Sequence, residues 1–185
     1  MHSLLLGAIG FFSLYLHDVS QIWKKNRLTR FFSIIGYTAV TAAVIFLVIS
    51  TPAAGLGNLE FYIGIGLSLI SLSLLIYSLF IELSYMSEFR PPENRKVVNT
   101  GTYGLVRHPA FLWFTSLILS LNLIFMSVTF FALSMSLVCM DFILVFIEDR
   151  FIFPSLFPDY DQYKKEVPFL WPKLIGWGRS DRGRL

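Results

Sequence analysis

The run VTFFALSMSLVCMDFILVFIED at residues 128–149 decides the fold class. Its first 20 residues hold a single charge, Asp141, and the run closes on Glu148-Asp149. About 20 apolar residues are what a helix needs to cross the ~30 Å hydrocarbon core of a bilayer. Four more apolar blocks lie upstream, at 4–23, 31–50, 59–83 and 110–125. Apolar residues make up 55% of the 185, above the share of an ordinary soluble domain, and they fall in blocks rather than at amphipathic spacing. The expected fold is an all-α integral membrane protein with about five transmembrane helices. The block at 110–125 is short, about 24 Å at 1.5 Å per residue, so its ends belong near the interface. Only Met126-Ser127 separate it from the last block, which predicts a tight helical hairpin across 110–147.

The chain then divides into three N-terminal helices (1–83), a connecting loop (84–109), the hairpin (110–147) and a polar, aromatic tail (148–185). All 15 Lys and Arg fall at 24–30, at 90–107 and from Arg150 onward. With five spans these places share one side, which the positive-inside tendency makes the cytoplasm, with the N-terminus outside. The net charge of +3 is therefore topological and does not point to nucleic acid. The first block has no basic segment before it and no small-residue cleavage site, so it reads as a retained helix rather than a signal peptide. Cys139, the one cysteine, allows no intrachain disulfide and reads as a small core residue. Residues 51–58 read as a plain outside loop. Pro91-Pro92 break any helix continuing from the third block. Asn99-Thr100-Gly101 signals a turn, and Pro109 suits the first turn of the fourth helix. In the tail a short helix over 159–165 is expected at the cytosolic interface, with Trp171 and Trp177 as anchors.

Chemistry concentrates in Gly101-Thr102-Tyr103-Gly104-Leu105-Val106-Arg107-His108-Pro109 and around Glu148. Arg107 and His108 precede a helix start, whose free N–H groups and dipole favour an anion. Arg107 adds a charge-assisted bond to a carboxylate or phosphate, or alternatively snorkels to lipid headgroups. Glu148 ends the fifth helix, where a carboxylate opposes the dipole. A hairpin brings it to the Arg107-His108 turn, a combination suited to a zwitterion such as an amino acid moiety. The alternative is a surface pairing of Glu148 with Arg150 or Lys164. Asp141 lies seven positions before Glu148, two turns up the same face. An intramembrane carboxylate costs roughly 2.5–3.5 kcal/mol at a helix centre, so Asp141 needs a partner such as Asn122, Ser120 or Tyr77, or it reaches a substrate. Asp18 and Glu82 lie nearer the interface and read as ordinary interfacial acids. No Gly-x-Ser-x-Gly elbow, Walker loop or Gly-x-Gly-x-x-Gly fingerprint occurs, and the three histidines do not form a metal-ligand pattern. Hydrolase, NTPase and metalloenzyme chemistry have no support.

Taken together, Gly101-x-Tyr103-x-x-x-Arg107-His108-Pro109-Ala110-Phe111, the Glu148-Asp149 pair, Phe157-Pro158-Asp159-Tyr160-x-x-Tyr163 and Val167-Pro168 resemble a family of small integral membrane methyltransferases. That family includes the isoprenylcysteine carboxyl methyltransferases and the phospholipid N-methyltransferases. The resemblance spans about residues 90–172; the first three helices match only in hydropathy. It implies S-adenosyl-L-methionine as cofactor and a lipid-like or amphipathic acceptor at the bilayer. By position, Val97, Val98, Gly101, Tyr103, His108, Pro109, Ala110 and Phe111 would line the cofactor, with Glu148 opposite. Arg107, Glu148 and Asp141 are the candidate catalytic residues; an amine acceptor would need Asp141 or Glu148 to take its proton. The chain departs from the family pattern at Phe111 (usually tyrosine), Asp149 (glutamate), Pro158 (glycine) and Leu144. An arginine of the prenylcysteine enzymes would stand at position 144, so recognition of a prenylcysteine carboxylate loses its basis. Two other readings stay open: an NADPH-dependent membrane reductase resembling the sterol reductases, and a non-catalytic protein of the same fold.

Overall fold

The computed structural model describes residues 2–23, 26–54, 56–82 and 96–172. Five long apolar helices dominate it: α1 (His2–Ile22), α2 (Asn26–Ile49), α3 (Leu59–Ile76), α4 (Pro109–Phe125) and α5 (Val128–Ile147). A π-helical turn, Tyr77–Glu82, prolongs α3, and another, Glu148–Ile152, prolongs α5. Two short helices follow, α6 (Phe153–Leu156) and α7 (Tyr160–Glu166). No strand occurs among the described residues. Four of the helical stretches, His2–Ile22, Arg27–Ile49, Leu59–Glu82 and Val128–Leu156, are long and apolar enough to span a membrane. The fourth in chain order, α4, has 17 residues, about 25 Å of helix, and is the short one that the sequence leads one to expect. Lys24-Lys25, Pro91-Pro92 and Trp177 lie outside the described residues.

Helix α2 begins at Asn26, several residues before its apolar block, so Arg27 and Arg30 belong to its first turns rather than to a loop. Arginine is a good helix former, and here the helix carries its basic residues out of the apolar zone. The α4–α5 hairpin turns without glycine or proline because Met126 takes a left-handed conformation (φ 44°) and its N–H donates to the Asn122 carbonyl at 3.0 Å. Ser127 then caps α5, its hydroxyl accepting the Phe130 N–H at 3.3 Å. Asn122 Nδ2 donates across the hairpin to Ser134 Oγ at 3.1 Å.

Close packing joins the helices in pairs. Between α1 and α2, a Cβ on Gly10 would come within 2.8 Å of the Val40 backbone nitrogen, so only glycine allows this approach. Between α3 and α4, the Ser71 and Ser116 hydroxyls bond at 2.8 Å. Phe11, Ala43, Phe114, Ile118, Leu137 and Leu144 form the main core, drawn from α1, α2, α4 and α5, and Leu75 of α3 packs against it. Outward-facing Ile34, Ile45, Leu69 and Ile70 are more than half exposed, a surface that suits hydrocarbon and not water.

The helix ends sort into two layers. At one end Leu47, Ile124, Phe125 and Phe130 close an apolar cluster. At the other, His17 bonds the Thr29 carbonyl (2.9 Å), Glu82 meets Thr102, and His108 meets Glu148. The C-terminal ends of α1, α3 and α5 and the starts of α2 and α4 therefore gather in one polar layer. Every described Lys and Arg belongs to the segments of that layer or to the tail that follows α5.

Candidate cofactor-binding site

The polar layer is organised around the start of α4. Gly101 has φ 54° and opens a single 3-10 turn, Gly101–Gly104. The Glu82 carboxylate accepts the Thr102 N–H at 2.7 Å and also the Thr102 hydroxyl. A Cβ on Gly101 would collide with Glu82 Oε1, so glycine is required both by its backbone angle and by its neighbour. Glu82, expected to be an ordinary interfacial acid, is 7% exposed and fastens this loop to the end of α3. Gly101 serves that junction. Pro109 fills the first position of α4, as its fixed φ and missing N–H favour.

The tail folds back over this start and is held by Asp149. Arg107 Nε lies 2.9 Å from Asp149 Oδ1 as an ion pair whose N–H is not aligned for a hydrogen bond. Tyr160 Oη donates to the same oxygen at 2.6 Å, His108 Nε2 is 3.5 Å away, and Lys164 Nζ is 3.7 Å from Oδ2. Tyr163 Oη donates to the Tyr103 carbonyl at 2.6 Å, and the Arg107 N–H donates to the Pro168 carbonyl at 3.0 Å. Asp159 accepts the Val97 N–H at 3.2 Å. Tyr160, Tyr163 and Val167 are buried in a cluster that includes Val97, Phe153 and Phe157. Burial pushes the Tyr103, Tyr160 and Tyr163 phenols above the usual tyrosine range, so all three are neutral at ordinary pH. Arg107 is thus neutralised by Asp149 within the protein, and its guanidinium is directed to the tail rather than to a ligand carboxylate.

Glu148 faces the other way. Its Oε2 lies 3.6 Å from His108 Nδ1, and the carboxyl of Asp18, 6% exposed in the last turns of α1, acts on it electrostatically. Asp141 lies two turns up α5, half-buried, and its field reaches Glu148. It makes no hydrogen bond or ion pair among the described residues. The partners anticipated for it are engaged elsewhere: Asn122 with Ile118 and Ser134, and Ser120 with the Ser116 carbonyl. Tyr77 is 42% exposed. His108 itself is buried, stacked on Phe153 (centroids 5.7 Å apart) and edge-on to Phe169 (5.2 Å). Its Nε2 has no hydrogen-bond partner. Phe111 packs on Phe142 at 5.9 Å, and Phe142 on Phe169 at 6.4 Å, which makes an aromatic wall beside the acids.

Of the residues singled out from sequence, Tyr103, Arg107, His108, Pro109 and Glu148 come together here, with Ala110 and Phe111 in the first turn of α4. Val97 and Val98 lie on the irregular segment before the 3-10 turn, where Asp159 of the tail accepts the Val97 N–H, and Val98 is buried. Sequence reasoning missed Asp149 as the organising acid and Asp18 as a neighbour of Glu148. A signal for Asp18 exists in hindsight: it is a carboxyl inside an apolar helix, like Asp141. No group of three or more His, Cys, Asp or Glu able to hold a metal occurs among the described residues. No protein-family model, no curated protein and no solved structure matches the chain. The residues and their geometry therefore carry the functional argument alone.

Proposed function

We propose that this protein is an integral membrane methyltransferase that uses S-adenosyl-L-methionine and acts on an amphipathic, lipid-like acceptor. The observation that carries this reading is the unbalanced acidic row of Asp18, Glu148 and Asp141, set against the buried His108 at the shared end of α4 and α5. The cofactor's head carries a sulfonium, an ammonium and a carboxylate, and the donor set fits it. Glu148 and Asp141 match the positive groups. His108 stands between the two acids, with Nδ1 3.6 Å from Glu148 and Nε2 3.5 Å from Asp149, and would line the cofactor beside them. Val98, Tyr103, Pro109, Ala110 and Phe111 offer the mainly apolar walls that an adenosine needs. When bound, the cofactor supplies a methyl group already activated on a cationic sulfur.

The chain's own work is then positioning and exclusion of water. Arg107, fixed by Asp149, holds the tail across the start of α4, and Phe111, Phe142 and Phe169 close the apolar side. Arg107 is a positioning residue in this scheme. Asp141 is placed in α5 where an acceptor approaching from the bilayer would meet it, and it takes the proton if that acceptor is an amine. The basic layer faces the cytoplasm under the positive-inside tendency, with the N-terminus outside. The cofactor reaches the site from water and the acceptor from lipid.

An NADPH-dependent reductase would need cations for three phosphates. Arg107 and Lys164 are both committed to Asp149, and Asp18, Glu148 and Asp141 supply no cation. Calorimetric titration of the purified protein in detergent with S-adenosylhomocysteine, and separately with NADPH, tests the choice. The homocysteine product should bind and NADPH should not. Binding of NADPH alone would replace this reading with a reductase, and binding of neither would reduce the claim to a membrane fold.

A further inference from the structure

Helix α2 has two faces. Gly36, Val40 and Ala43 turn inward, where Leu14 of α1 lies against Gly36 and Gly10 of α1 lies against Val40. The other face carries Arg27, Arg30 and Ile34, then Thr38, Thr41 and Ile45, and all six are exposed. Steps of three or four residues place them in one stripe along the helix. Ile34 is 67% and Ile45 54% exposed, so the apolar part of the stripe suits hydrocarbon and not water. The two arginines stand at the end of this stripe, in the polar layer, at the depth where a helix leaves the hydrocarbon for the headgroups.

Elsewhere in the layer cations are used internally: Arg107 and Lys164 are both held by Asp149. Arg27 and Arg30 make no ion pair among the described residues. Three residues apart, their heads are neighbours on the helix surface, and a guanidinium matches a phosphate with two parallel N–H bonds. From Arg30 to Thr41 the helix rises about 16 Å, close to the ~15 Å of hydrocarbon in one leaflet. Thr38 and Thr41 are smaller than the isoleucines on either side of them, which leaves a shallow recess along which an acyl chain can lie.

From this geometry we infer that the outward face of α2 binds an anionic phospholipid of the leaflet on the polar-layer side. Its phosphate sits between Arg27 and Arg30, and an acyl chain runs down the stripe to Thr41. The inference needs the membrane placement of the helices and is independent of the cofactor reading. A basic residue at an anionic surface is worth about fivefold in affinity, so the pair should give on the order of 30-fold. Native mass spectrometry of the full chain in detergent, titrated with phosphatidylglycerol or with phosphatidylcholine of the same acyl chains, measures the preference. The wild-type protein should bind phosphatidylglycerol on the order of 30-fold more tightly, and Arg27→Gln/Arg30→Gln should bind the two lipids alike. Both side chains are exposed, so this variant should melt with the wild type when no lipid is added. Arg27→Lys/Arg30→Lys keeps the charge but not the planar fork and should retain part of the preference. Arg150→Gln/Lys165→Gln removes the same charge from exposed positions elsewhere in the layer and should leave the preference intact. Equal binding of the two lipids by the wild type, or an equal loss in that charge-matched control, would overturn the assignment. Displacement of bound phosphatidylglycerol by millimolar inorganic phosphate would also overturn it, since the site would then hold a free anion and not a lipid.

Discussion

Asp149 has Arg107, His108, Lys164 and Tyr160 within 3.7 Å, whereas Glu148, one residue earlier, has an imidazole at 3.6 Å and a second carboxyl. The two acids share a π-helical turn and the same polar layer. One is over-supplied with positive partners and the other lacks them. Under the proposed reading, the difference separates the holding part of the layer from its binding part, because a buried carboxyl without a cation is one that a cationic ligand can complete.

Removing each acid in turn separates their roles. Asp149→Ala should destabilise the protein by about 3–5 kcal/mol, as expected when one partner of a buried ion pair is lost. Thermal unfolding in detergent and faster proteolysis of the tail would register it. Glu148→Gln should leave the melting temperature unchanged or raised. Equal destabilisation by the two changes would erase the distinction.

Gly101→Ala comes next. It forces a non-glycine residue to positive φ and a methyl group into the Glu82 carboxylate, and should cost about 1–3 kcal/mol. Retention of wild-type stability would mean that the Glu82–Thr102 junction does not hold the loop. Tyr163→Phe removes the bond to the Tyr103 carbonyl and should cost about 1 kcal/mol, read from the same unfolding curves.

Alkaline pH probes the holding part as a whole. A tyrosine in an unfolded chain ionises near pH 10, and burial raises Tyr103, Tyr160 and Tyr163 above that when folded. The unfolded state therefore loses protons first as pH rises. Stability from these phenols is intact below about pH 10 and falls above it by up to ~1.4 kcal/mol per pH unit for each. A melting series from about pH 8 to 11 should decline at its upper end, less steeply in Tyr160→Phe; a flat series would contradict the burial of these rings. The smallest stability effect belongs to Asp141→Asn, within about 0.5 kcal/mol, since no bond is lost. Its turnover is the informative quantity: unchanged transfer to the true acceptor would remove Asp141 from the mechanism.

Much of this molecule is legible in its sequence, for reasons that differ by region. The long helices follow from apolar blocks whose limits agree with the observed ones within a few residues, since an apolar block of that length satisfies its own backbone groups in a bilayer only as a helix. The α4–α5 turn is legible in length but not in mechanism, because a left-handed methionine leaves no compositional mark. At the site, Arg107, His108 and Glu148 stand out as polar residues at helix ends. Their pairing does not, because residues adjacent in a helix point about 100° apart and only the packed tail decides which acid meets which base. Asp18 is the plainest case: it acts on Glu148 from another helix far along the chain, and no local pattern connects them.

The central claim is that the unbalanced acid is the ligand-binding one. The direct test is calorimetric titration of S-adenosylhomocysteine into the wild-type protein and into Glu148→Ala, matched for melting temperature. Saturable binding to the wild type, lost in the variant while the fold persists, is the predicted result. Equal binding by both proteins would contradict the claim and place the cofactor elsewhere.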